Sequence, residues 1–180
     1  MKNASFRRND VARPPEGEPW VWVTRDLNRS PAWRARSIYC VRLIEFLQDQ
    51  HMAHSGMENG NLLALYKQLA AAPWHLSPSR VVIAVAEGVG LGLIAAKRGG
   101  RRASMEASPT RYRLTFYATR EKQAPSTVHV WIAPTNDWRK VTPARIAEVQ
   151  ATLVDMRSKQ RPKRPKRPVL TLVRPTTPGV

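Results

Sequence analysis

Apolar residues recur at helical spacing in three stretches of the chain, and each stretch opens on a Ser or Thr followed by proline. That pair starts helices: the hydroxyl accepts from an orphan N–H, and proline fits the first helical position without losing a hydrogen bond. Ser30-Pro31 opens the longest stretch, which runs to about His51 with Trp33, Ser37, Cys40, Val41, Ile44 and Leu47 along one face. A second cap at Ser37 divides it into a short helix and a long one. Ser77-Pro78 opens the next, where Val82, Val85, Ala86 and Val89 form an expected buried stripe. At roughly 100° per residue, Arg80, Ile83, Ala84 and Glu87 then face the opposite way. The β-branched run VVIAV and Gly88 also suit a buried strand, but the start signal and the stripe agree on a helix. Gly92 can end it in a left-handed cap. Thr142-Pro143 opens the third helix, with Ile146, Val149, Leu153 and Met156 on one stripe. This stripe can pack back on the domain or pair two copies as a homodimer, and spacing does not choose.

The intervening segments read as short elements. Trp20-Val21-Trp22-Val23 is extended, Ser55 to Asn61 is a loop, and Leu62-Leu63 is a short strand. Ala64 to Ala72 reads as a short helix with Leu65 and Leu69 buried and Lys67 and Gln68 outward, stopped by Pro73. Leu93 to Lys97 and Arg111 to Tyr117 read as strands. In the second, Tyr112, Leu114 and Phe116 alternate with Arg111, Arg113 and Thr115. Between the two lies the basic tip Arg98-Gly99-Gly100-Arg101-Arg102. Ala118 to Ser126 reads as loop and Thr127 to Ile132 as a strand.

Two helices joined by a tight turn and followed by a basic ribbon match the layout of a winged helix-turn-helix. The expected class is α+β, mainly helical: a winged helix-turn-helix over residues 19–118 with a basic β-hairpin wing. A linker with one strand (119–141) and a C-terminal helix (142–158) follow. A disordered arm (1–18) and a disordered basic tail (159–180) flank the whole.

Charge adds direction to this frame. Thirty Lys and Arg stand against 13 Asp and Glu, a formal net charge of +17. Such an excess favours a polyanion, because each phosphate neutralised releases condensed counterions. In the tail, repeated Pro-Lys-Arg triplets exclude helix and central strand, so Lys163, Arg164, Lys166 and Arg167 are expected to attract phosphates without reading sequence. Base reading is assigned to the second helix of the motif. Arg80 can hold a guanine O6 and N7 together, and Ser77 and Ser79 can reach phosphates or bases. Ile83 or Ala84 can touch a thymine methyl, and Glu87 can accept from cytosine N4. Lys97, Arg98, Arg101, Arg102, Arg111 and Arg113 form the wing's backbone-contacting set.

Other chemistries find less. No glycine-rich phosphate loop, nucleophile elbow or paired-carboxylate cluster occurs, so no catalytic site is expected, and no cofactor. His51 and His54 have metal-ligand spacing but no nearby Cys or third His, so they read as residues finishing a helix. The single Cys40 sits in an apolar pattern as a core residue. No apolar run is long enough to span a membrane, and the first ten residues lack the apolar core of a secretory signal. A cytoplasmic, nucleoid-associated protein is the expectation.

SPAWRARS, HMAHSGMENG, the wing ending RYRLTFYATR, and NDWRKVT resemble a group of small winged-helix proteins of alphaproteobacteria, carried around plasmids, phages and integrated mobile elements. The resemblance covers roughly residues 20 to 142. It implies bacterial origin, a winged-helix fold and DNA binding, as a transcriptional regulator or replication accessory. The group's turn between the helices is more basic than Pro73-Trp74-His75-Leu76 here. Two other readings stay open. One is a protein-interaction module that uses the apolar Trp74 and Leu76, with non-specific nucleic-acid binding through the tail. The other is RNA binding through the tail and exposed Trp20, Trp22 and Trp138.

Overall fold

A computed structural model describes residues 20–99, 109–122 and 129–160. Thr24 caps a short helix α1 (Arg25–Arg29), its Oγ accepting from the Leu27 N–H at 3.2 Å. Sequence pattern alone did not signal α1. Ser30 then ends α1 and begins α2 (Pro31–Arg34): its hydroxyl donates to the Leu27 carbonyl at 2.7 Å and accepts from the Trp33 N–H at 3.1 Å. Ser37 caps α3 (Ile38–Ala53), so the expected division of the long helix occurs. After the loop come β1 (Leu62–Leu63), α4 (Tyr66–Ala70), α5 (Pro78–Gly90), β2 (Ile94–Lys97) and β3 (Arg111–Leu114). The chain continues through β4 (Thr119–Lys122), β5 (His129–Ile132), a 3-10 turn (Asp137–Lys140) and α6 (Pro143–Gln160). The class is α+β, with close to half of the described residues helical and two small antiparallel sheets.

One sheet has the order β1-β3-β2, and its register sets Leu62 opposite Tyr112 and Ile94 opposite Leu114. Ile94 and Leu114 turn inward with Leu93, joining Leu43, Ile44 and Leu47 of α3 and Leu69 and Leu76 around α4 in the core. Two expectations about α4 change. The helix is shorter than Ala64–Ala72, and Leu65 is exposed because it stands at the N-cap, outside the helical stripe. Leu76 is fully buried, and its N–H donates to the Leu69 carbonyl at 2.7 Å. Trp74 packs edge-on against Phe46 at 5.7 Å, and Arg42 donates to the Trp74 carbonyl. The apolar character of this turn therefore serves the core.

Within the segment expected as a linker, Thr119–Lys122 and His129–Ile132 form strands and Asp137–Lys140 a 3-10 turn. Thr119 to Lys122, expected as loop, pairs with β5, setting Arg120 opposite Trp131. Trp138, expected exposed, is buried, with its indole N–H donating to Asn136 Oδ1 at 3.0 Å. Val149 and Leu153 of α6 are buried, and α6 packs along α5. The apolar stripe of the last helix thus folds back on its own chain.

Glycines make these approaches close. A Cβ at Gly88 would stand 2.6 Å from Ile94 Cδ1, and one at Gly90 would stand 2.7 Å from a Val149 methyl. Gly92 adopts the left-handed conformation (φ 65°) and completes a helix stop: its N–H donates to the Val89 carbonyl and the Leu93 N–H to the Gly88 carbonyl. A Cβ there would also meet the Asp137–Trp138 backbone at 2.8 Å. Gly92→Ala should therefore lose about 2 kcal/mol or more, read as a lower midpoint in urea.

His51 is buried within this fold. Its ring stacks on Tyr117 (centroids 5.3 Å apart), and its Nδ1 has no partner among the described residues. Burial lowers its pKa below the ordinary histidine value of 6.5. The unfolded chain then binds the proton more readily than the folded one, so stability is full above pH ~6.5 and is lost as pH falls through that value. Wild-type protein should show a falling urea midpoint from pH 7.5 to 5.5, and His51→Phe should flatten that slope.

Candidate nucleic-acid interface

The start of α5 presents Ser77, Ser79 and Arg80 to solvent. Ser77 and Ser79 share a hydrogen bond at 3.2 Å, and neither hydroxyl closes the helix end, so the first-turn N–H groups point outward. The Arg80 guanidinium lies over the Tyr39 ring at 4.9 Å, which restrains a long side chain before any partner arrives.

Beyond the first turn, the expected reading face is reversed. Val81, Ile83, Ala84, Glu87 and Gly88 are buried, whereas Val82 and Val89 are exposed and Val85 and Ala86 are half-buried. Ile83, Ala84 and Glu87 therefore cannot reach a base. The physical reason lies with Glu87. Its carboxylate accepts from the Ser37 N–H at 2.7 Å and from the Ser37 hydroxyl, at the N-terminus of α3. The helix dipole there favours negative charge, so an acidic residue on α5 is drawn inward rather than to water. The two candidate faces are nearly equal in apolar content, and this contact selects between them.

The wing set divides by position. Lys97, Arg98, Arg111 and Arg113 line one cleft of about 710 Å³ on the outer side of the β1-β3-β2 sheet, facing β4. The β2–β3 ladder sets Lys97 directly opposite Arg111, and Ala95 opposite Arg113. Arg111 donates to Asn61 Oδ1 at 2.6 Å. Among the described residues none of these four cations enters an ion pair; the ion pairs present are Arg139–Asp26, Lys140–Asp137, Arg145–Glu148 and Lys159–Asp155. Arg101, Arg102, Lys163, Arg164, Lys166 and Arg167 lie outside the described residues. Arg120, which also lines the cleft, was missed because its segment reads as loop.

Other candidate chemistry is accounted for by packing. Cys40 is buried, and burial first, then the nearby Glu87 carboxylate, pushes its thiol well above the ordinary range, so it stays protonated. His51 is turned into the core while His54 is exposed, and among the described residues no three His, Cys, Asp or Glu side chains gather as a metal site. No helix among them is long and apolar enough to cross a membrane.

No family model, curated protein or solved structure matches the chain.

Removing the Glu87 carboxylate tests its contact with Ser37. Glu87→Ala leaves the Ser37 N–H without its partner and should cost about 1–3 kcal/mol in urea unfolding.

Proposed function

We propose that the chain is a winged helix-turn-helix protein that binds double-stranded DNA, acting as a transcriptional regulator or replication accessory of a bacterial mobile element. The observation that carries the reading is the order α3-β1-α4-α5-β2-β3 with sheet order β1-β3-β2, which joins an exposed Arg80 at the start of α5 to a basic β2–β3 ribbon. In this arrangement the first turn of α5 enters the major groove and the wing follows the phosphates. The mobile-element setting rests on the resemblance in SPAWR, HMAHSGMENG and RYRLTFY.

The exposed residues narrow the base-reading set. Arg80 remains the strongest candidate, with Ser77 and Ser79 beside it. Val82, and not Ile83 or Ala84, stands where a thymine methyl can be met. With one long polar reader on α5, most affinity is electrostatic and sequence preference is short. A second reading, a protein partner seated on α5, draws on the exposed Val82 and Val89. It predicts a complex that survives high salt, whereas phosphate binding does not.

Binding of the full chain to random genomic duplex fragments across a salt series, with bound fragments sequenced, tests the proposal. A steep loss of affinity with salt and enrichment of a short motif are expected. Arg80→Ala should cost roughly 1–3 kcal/mol on the enriched motif and relax preference at one position. Lys97→Ala combined with Arg111→Ala should weaken all fragments alike and reduce the salt slope by about 2. Salt-insensitive binding with no enriched motif would overturn the duplex reading.

A further inference from the structure

Strand β4 lies outside the elements proposed to bind duplex, yet it builds the far wall of the cleft on the sheet. Lys97, Arg111 and Arg113 stand on the sheet side, and Arg120 stands on the β4 side. Glu121 contributes the acid among the lining residues, and Asn61 holds Arg111 at 2.6 Å. Lys97 and Arg111 are cross-strand partners, and like charges placed opposite each other weaken a sheet. An anion lying between them would offset that cost. The cleft is therefore built for negative charge.

Its size and its neighbour select which polyanion. About 710 Å³ falls within the roughly 300–1,000 Å³ of clefts that enclose small ligands. A space of that size is on the scale of a few nucleotides of one strand. In the β4–β5 ladder Arg120 is opposite Trp131, so the two side chains share one face of that ribbon. Trp131 is 54% exposed, a large indole left to water across the ladder from Arg120. Cations tracking a backbone, followed by a bare aromatic on which a base can stack, is how proteins hold single strands.

We propose that the cleft between β3 and β4 binds single-stranded nucleic acid, with phosphates along Lys97, Arg111, Arg113 and Arg120 and a base stacked on Trp131. This site does not depend on duplex reading by α5, since Arg80 takes no part in it. The site shares Lys97 and Arg111 with the phosphate contacts proposed for the wing, so Arg120 and Trp131 are what set it apart from duplex binding.

The test titrates the full-length protein with labelled oligothymidine of about 12 nucleotides, within the site sizes known for single-strand binders. A random-sequence duplex of the same length is titrated in parallel. Trp131→Ala should weaken oligothymidine binding at least about fivefold, the lower end of what one stacked base supplies. Arg120→Glu should weaken it as well. Trp131→Phe keeps a π-face and should bind nearly as the wild type does, which also shows that the ribbon stays folded. Duplex affinity should be unchanged in both Trp131 variants. Wild-type protein that ignores oligothymidine, or a Trp131→Ala variant that loses single strand and duplex alike, would overturn the proposal. Arg80→Ala, read on the duplex alone, reports separately on the α5 reading.

Discussion

The contact between Glu87 and Ser37 sets the rotation of α5, and much of the molecule follows from that rotation. A carboxylate taken out of water is costly unless hydrogen bonds replace its hydration. Here a backbone N–H and a hydroxyl replace it, at the positive end of a helix dipole. With Glu87 turned inward, Val81, Ala84 and Gly88 enter the core, and Val82 and Val89 are left outside. Gly88 then meets Ile94, and Gly90 meets Val149, so strand and last helix both approach α5 where no side chain blocks them. Gly92 ends the helix and turns the chain into the basic ribbon. One polar contact thus orders an otherwise ambiguous apolar helix.

Charge follows a complementary logic. The ion pairs among the described residues gather mostly on the 3-10 turn and α6, where exposed pairs add little stability. Among the described residues the cations of the cleft lack such pairs, and two of them oppose each other in the β2–β3 ladder. An arrangement that weakens the sheet slightly is retained where a polyanion can relieve it. This asymmetry bears on the proposed binding: α6 pairs Arg145 with Glu148 and Lys159 with Asp155, whereas among the described residues the sheet-face cations enter no ion pair.

Much of the framework was legible in the sequence because its signals are local. Ser30, Ser37 and Thr142 mark helix starts through bonds made within one turn, Pro31 and Pro143 reinforce two of them, and at Ser77, whose hydroxyl makes no capping bond, Pro78 carries the signal. Gly92 marks a stop by its backbone freedom, and strict alternation marks the strand around Tyr112 and Leu114. The last helix showed its stripe because its other face is richly polar. Less local features were not legible. Thr119 to Lys122 pairs only because β5 lies beside it, and Trp138 is buried only because the chain folds back over α1 and α2.

The sequence by itself determined where the Ser-Pro and Thr-Pro helices begin, the excess of positive charge, and the candidates Ser77, Ser79 and Arg80. Each of these depends on neighbours within a few residues. Tertiary structure alone decided which face of α5 looks outward, because Glu87 finds its partner 50 residues away. It also gathered Arg120 with the wing cations and set Trp131 opposite Arg120, since a cleft between two sheets has no linear signature. Periodicity shows that a helix has an apolar face; only the packing of a distant polar partner decides which of two such faces is buried.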